Sequence, residues 1–274
     1  MANFTKINNE ATVPGDVVEL LNHEAERINN KSFIAEDPVQ FPRRFTSLPD
    51  IEIAAMLTAT ISWGNRKMIC RDADRLLSLM DNSPYLYMME EEYENLPDNM
   101  NIHRTFFTRH LKYYLRGLRS IYRHFASLDE FALHCKAPDS KYPAWVFTKG
   151  LQENFAGANN NELMSQCIPT KIDSSPLKRI NMALRWLVRN DGIVDMGVWR
   201  SIKPSQLFIP LDVHVNNTSR QLNLISRKST DRKTLDQLMQ KLRPLNPYDP
   251  AIYDFALFGI GIMAKQNNGK NLSV

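Results

Sequence analysis

Pro176-Leu-Lys-Arg-Ile-Asn-Met-Ala-Leu-Arg-Trp-Leu-Val-Arg189 and, after an insert running from Asn190 to Gln206, Ile209-Pro-Leu-Asp-Val-His-Val-Asn-Asn-Thr-Ser-Arg-Gln-Leu222 decide how this chain is read. In the first stretch Leu177, Ile180, Leu184, Leu187 and Val188 recur at helical spacing. That spacing predicts a helix with one buried face and with Lys178 in its first turn, Lys178, Arg185 and Arg189 sharing another face. In the second stretch Pro210 stiffens the approach, and Asp212 stands where an N-cap belongs, since a carboxylate there accepts N–H groups that a helix start leaves unpaired.

Outward from this pair, helical periodicity continues. Asp16 to Asn29 reads as a helix after the Pro14-Gly15 break, and a second runs through Ile51 to Ile61 with Asp50 as its cap. A third covers Lys67 to Met80 with Ile69, Ala73, Leu76 and Leu77 inward. The acidic, proline-punctuated stretch Asn82 to Asn101 reads as a loop or lightly structured insertion. Thr108 to Phe125 carries an apolar stripe of Leu111, Leu115, Leu118, Tyr122 and Phe125 between basic faces. Such a helix suits a phosphate backbone, and equally suits a solvated face over a packed stripe. Helices follow at Pro143 to Phe155 and Thr230 to Leu242, and Asp249-Pro250 signals a last one. No pair of alternating runs with hairpin punctuation stands out, so the expected fold is mainly α with at most a small sheet.

A chain of 274 residues, 43% hydrophobic, with a mean hydropathy of −0.38, can bury a substantial core in one large domain or two lobes. No apolar run approaches the ~20 residues of a membrane helix. The polar start Met1 to Lys6 lacks a signal-peptide core, so the expected location is the cytoplasm. Lys and Arg number 34 against 30 Asp and Glu, a net charge of +4, with basic residues gathered at 104–123 and 178–203 and acids at Glu90 to Glu94. This balance permits nucleic-acid binding without demanding it. Cys70, Cys135 and Cys167 are odd in number and widely spaced, which argues against a disulfide framework and against CxxC metal sites.

The pairing of a Lys-Arg-x-Asn-x-x-Leu-Arg-Trp helix with Ile-Pro-Leu-Asp-x-His resembles the helix-hairpin-helix DNA glycosylase superfamily. Within it, the chain is similar to an uncharacterised bacterial family related to archaeal 8-oxoguanine DNA glycosylases, which also separate lysine and aspartate widely; here 34 residues separate them. The resemblance implies a two-lobed helical fold with the catalytic cleft between the lobes. One lobe would come from roughly residues 50–160, the other from 1–49 plus 161–274. It implies DNA glycosylase and AP-lyase activity on an oxidised purine flipped out of duplex DNA, by a monomer that needs no cofactor or metal. The four-cysteine iron–sulfur loop of some relatives has no counterpart, because Gly259 to Asn268 holds no cysteine.

Residue by residue, Lys178 would attack the sugar C1′ and form a Schiff base, with Arg179 and Arg185 as cationic neighbours that favour the free amine. Asp212 would stabilise charge developing on the sugar. Considered alone, Lys178 fits a solvent-facing lysine and Asp212 a simple cap; their joint occurrence in the superfamily's order carries the reading. Ile168 to Leu177 lies at the hairpin, where Ser174-Ser175-Pro176 replaces the usual glycines and leaves Ser175 as a phosphate contact. His214 matches a phosphate-holding histidine, and Arg185 would make a phosphate contact. Phe258 would stack on the extruded base and Asp254 read its edge, with Met182 beside them on the lysine helix; otherwise Phe255 and Phe258 are both core. Trp63 and Asn65 fall where relatives fill the vacated base stack, although Trp63 could simply pack. Two other classes compete: a DNA-binding module of the same fold without the chemistry, and a helical scaffold unrelated to DNA.

Overall fold

A computed structural model describes residues 12–270, with side chains to residue 263. The reading of Met1 to Lys6 lies outside the described residues. The protein is mainly helical. Its elements, in order, are α1 (Gly15–Ile28), α2 (Lys31–Glu36), α3 (Leu48–Thr60), α4 (Arg66–Leu79) and α5 (Pro84–Met89). Then come β1 (Asn101–His103), β2 (Phe106–Phe107), α6 (Thr108–Tyr122), α7 (Leu128–His134), α8 (Pro143–Ala158), α9 (Lys178–Val188), α10 (Val213–Gln221), α11 (Arg232–Leu242) and α12 (Tyr253–Lys270). The only sheet among the described residues is the antiparallel pair β1–β2.

The two ends of the chain meet, α1 packing along α12 and α12 along α10, while α6 packs on α8. Gly117 allows the last contact, because a Cβ there would lie 2.2 Å from the Phe155 ring. Between these groups lies α3, packed on α9. Every residue from Ile51 to Ile61 is buried, as expected of a helix apolar on all sides. Glu52 is the exception in character and is fully buried too. Its Oε2 accepts the Tyr122 hydroxyl at 2.7 Å and the Leu128 amide at 2.9 Å; its Oε1 accepts Asp129 N–H at 3.1 Å and Trp199 Nε1–H at 2.7 Å. Burial pushes its carboxyl up to about 7, against the pull of these four donors. Glu52→Gln turns one acceptor into a donor aimed at donors, and is expected to lower unfolding free energy by about 3 kcal/mol. Urea unfolding measures this, and a loss below ~1 kcal/mol would sink the account of Glu52 as the acceptor that joins α3 to α6, α7 and Trp199.

Several local expectations change in the folded chain. Ser47, not Asp50, caps α3, and Asp50 instead accepts the Tyr85 amide at 2.9 Å from the start of α5. The insertion at Asn82 to Asn101 holds α5 and a 3-10 turn at Glu92–Asn95. Asp249 does not cap through its side chain; the chain makes a 3-10 turn at Pro250–Ile252 before α12, and the Asp249 carboxylate pairs with Arg189 at 2.8 Å. The cap of α11 is Asp231, one residue after the expected start. On α6 the apolar stripe is buried through Tyr122, with Phe125 half-buried beyond the helix end. Three residues of its basic face are paired with acids of the preceding stretch: Lys112 binds Asp98 at 2.7 Å, Arg116 binds Glu94 at 2.6 Å, and Arg119 pairs with Glu91.

Candidate functional site at two helix starts

The lysine helix begins in a constrained turn. Leu177, immediately before α9, is buried and adopts φ 48°, a left-handed conformation that favours glycine. The turn is fixed from both sides: Ser175 Oγ accepts the Leu177 amide at 3.1 Å, and Asn181 Nδ2 donates to Pro176 O at 2.9 Å. From outside, Trp145 Nε1 donates to Ser175 O at 3.2 Å and the Arg232 amide to Ser174 O at 3.0 Å. The Ser175 side chain is thus part of the turn's own bonding.

This start points Lys178 and Arg179 at the end of α3, where helix carbonyls lack partners and attract cations. Lys178 Nζ donates to Ser62 O at 3.1 Å, and Arg179 Nη1 to Thr60 O at 3.0 Å and Gln166 O at 2.7 Å. The second helix start faces the same spot. Asp212 Oδ1 accepts the amides of both His214 and Val215 at 2.9 Å, which completes the cap of α10. Its other oxygen, Oδ2, lies 3.7 Å from Lys178 Nζ, with both side chains about one-third exposed. One carboxylate therefore holds a helix with one oxygen and addresses the lysine with the other.

Lys178 lines two cavities. One, of about 410 Å³, is bounded by Trp63, Thr105, Ser175, Pro176 and Arg179, among others. The other, of about 310 Å³, is bounded by Met182, Arg185, Asp212, His214, Asp254 and Phe258, together with Phe33, Asp37 and Arg66. Lys178, Met182 and Arg185 reach the second cavity because residues three and four apart share a helix face. Asp254 and Phe258 reach it from α12 by the same rule. Phe255 is core, whereas Phe258 is half-buried at the cavity wall.

Arg185 does not lie on a solvent face as a phosphate contact. It is 4% exposed, pairs with Asp254, and sits 3.3 Å from Asp195. Arg189 continues the chain of charges to Asp195 at 3.0 Å, Asp191 at 2.6 Å and Asp249 at 2.8 Å. Burial pushes the Asp254 carboxyl up to about 6, opposed by Arg185, and raises Asp195 as well. Neither Arg185 nor Arg179 is left as an unpartnered cation beside the lysine. Asn65 caps α4 through Oδ1, which accepts the Met68 amide at 3.3 Å. Trp63 packs at 80° against His103, 4.8 Å between centroids, and Gly64 at φ 100° turns the chain there with the Arg104 side chain against it. His214 is exposed at the cavity edge.

Arg66, Phe33 and Asp37 are cavity residues that motif matching does not find, because they come from segments far from Lys178 in sequence. Asp195 was also missed, although two arginines four apart followed by two aspartates four apart hint at a network. Among the described residues, no group of three or more His, Cys, Asp or Glu side chains could hold a metal ion, and no helix is long and apolar enough to cross a membrane.

Fold and site together define a mainly helical protein with a lysine–aspartate pair where two cavities meet. A family model described as a protein of unknown function (DUF2400) matches residues 37–263, and the chain belongs to that family. No curated protein and no solved structure matches it.

Proposed function

We propose that this protein is a DNA repair glycosylase with AP-lyase activity, acting as a monomer in the cytoplasm on an oxidised purine, 8-oxoguanine by preference, extruded from duplex DNA. Its fold would be the two-lobed helix-hairpin-helix arrangement, with the lobes meeting at α3 and α9. The observation that carries the reading is the 3.7 Å approach of Lys178 Nζ to Asp212 Oδ2 at the junction of two cavities. Both cavities fall in the ~300–1,000 Å³ range of small-molecule sites.

In the proposed reaction the Nζ lone pair forms a bond to the sugar C1′ as the bond from C1′ to the base breaks. The electron pair leaves with the base, which takes up a proton. The amine must first lose its own proton, and Asp212 Oδ2 is the carboxylate oxygen positioned to receive it. Asp212 passes this proton on to the departing base, and the restored carboxylate charge stabilises the cationic sugar. Loss of the second amine proton and opening of the sugar ring give a Schiff base, from which strand cleavage proceeds. The base would occupy the 310 Å³ cavity, with Phe258 and Met182 as apolar wall and Asp254 at its edge. Unstacking costs a few kcal/mol, which these contacts and backbone neutralisation offset.

Borohydride reduces a lysine Schiff base to a stable amine, so incubation with duplex carrying 8-oxoguanine should trap a covalent protein–DNA species. No trapped species on 8-oxoguanine or on an abasic site would refute lysine chemistry and leave a DNA-binding module at most. Asp212→Asn should slow excision about 10²–10³-fold, the loss expected for one preorganised charge. Stability should hold within ~0.5 kcal/mol, because asparagine keeps the capping oxygen. Single-turnover kinetics and urea unfolding read the two effects separately.

A further inference from the structure

The wall of the 310 Å³ cavity is covered by an arginine. The guanidinium carbon of Arg66 lies over the Phe258 ring, 4.3 Å from its centroid, and 5.4 Å from that of Phe33. Phe33 and Phe258 meet at 89° with centroids 5.7 Å apart, so the two rings form a corner in which the guanidinium rests. Asp37 Oδ2 holds Arg66 Nη2 at 3.1 Å, and Asp37 is itself buried and fixed by the Val39 amide on Oδ1 at 3.0 Å. Arg66, Phe33, Asp37 and Phe258 all line the cavity that Lys178 and Asp212 share. An occupant approaching Phe258 over that face therefore meets the guanidinium first.

We propose that Arg66 is the stacking platform and the charge filter of this cavity. The inference rests on the base-excision reading above. A base in the cavity lies on the guanidinium plane, backed by Phe258, because guanidinium planes stack on bases as aromatic rings do. A fixed cation against the base's π-face attracts an electron-rich, neutral purine such as an oxidised guanine and repels a base that already carries positive charge, such as an N7-alkylated purine. Asp212 and Asp254 do not reverse this preference, since each faces a cation of its own in Lys178 and Arg185, and Asp37 engages Arg66 through Nη2. Arg66 is a specificity-determining residue on this account, and the sugar chemistry stays with Lys178 and Asp212.

The test is equilibrium binding of the full-length protein to three duplexes, with the target nucleotide as the 2′-fluoroarabino form that resists cleavage: 8-oxoguanine, 7-methylguanine and guanine. Wild type should bind 8-oxoguanine at least about tenfold more tightly than cationic 7-methylguanine, the ratio that one cation–π contact supports. Arg66→Met should weaken 8-oxoguanine binding and strengthen 7-methylguanine binding, bringing the ratio near one. Arg66→Lys keeps the charge without the plane, so it should lose affinity for 8-oxoguanine yet still disfavour 7-methylguanine against guanine. An unchanged ratio in Arg66→Met, with lesion preference over guanine intact, overturns the role of Arg66 alone. Wild type binding all three duplexes equally overturns the base-extrusion reading together with it. Arg66 is about one-third exposed, so both variants are expected to fold, and a thermal melt of each accompanies the binding data.

Discussion

Lys178→Gln is expected to yield no borohydride-trapped adduct and to lower excision by at least about 10³-fold, while leaving the folded chain nearly as stable as wild type. The amide of glutamine cannot form a Schiff base, so the covalent route is closed and not merely slowed. Stability should change by less than ~1 kcal/mol, because the lost contacts are one hydrogen bond to Ser62 O at 3.1 Å and an ion pair to Asp212 at 3.7 Å whose side chains are each about one-third exposed. The measurement is gel-shifted covalent product on duplex DNA carrying 8-oxoguanine, beside single-turnover excision and a urea transition for each protein. Full excision with an undiminished adduct would move the chemistry to another nucleophile. Strand cleavage without base release, seen with both proteins, would point to an activity on abasic sites that does not use this lysine.

The largest stability effect is expected at Asp195. It is 1% exposed and bridges Arg185 Nε at 3.3 Å and Arg189 Nη1 at 3.0 Å. Truncation to alanine removes the shared anion between two buried guanidinium groups. Arg185 would keep only Asp254, and Arg189 only Asp191 and Asp249. Breaking a buried pair of this kind costs about 3–5 kcal/mol, a large part of the ~5–15 kcal/mol that holds a typical domain together. Asp195→Asn retains the shape and some hydrogen bonding, so it should fall between wild type and alanine. Urea midpoints with unchanged slope would report the order. If Asp195→Ala unfolds at the wild-type midpoint, Asp195 is not a stabilising element and Asp254 suffices to hold Arg185.

Much of the local structure was legible because it depends on neighbours in the chain. The inward positions of α4, the apolar stripe of α6 as far as Tyr122 and the buried face of α9 follow from spacing, and each is buried as that spacing requires. Asp212 caps α10 because capping needs only a carboxylate at the right offset from the helix amides. Where two capping residues competed, the choice was made elsewhere: Asp50 carries the same local signal as Ser47, yet its carboxylate is taken by the amide of Tyr85 in α5. Asp249 was drawn away from its helix in the same manner by Arg189.

Charge was the property that sequence assigned least well, since a charged residue's place depends on what folds against it. The basic run on α6 reads as a solvated or DNA-facing face and the acidic stretch before it as a loop or insertion, and in the folded chain the two pair at Lys112–Asp98 and Arg116–Glu94. Arg185 shares its helix with Lys178 and appeared equally available, but the packing of α12 and of the segment holding Asp195 encloses it. By itself, then, the sequence determined a mainly helical chain, a lysine in the first turn of one helix and an aspartate at the cap of another, because periodicity and capping act over a few residues. Only the tertiary structure decided that those two side chains lie 3.7 Å apart, that Glu52 is a buried acceptor in the core, and that Arg66 covers Phe258. Those facts arise from contacts between segments distant in the chain, whose geometry no local pattern encodes.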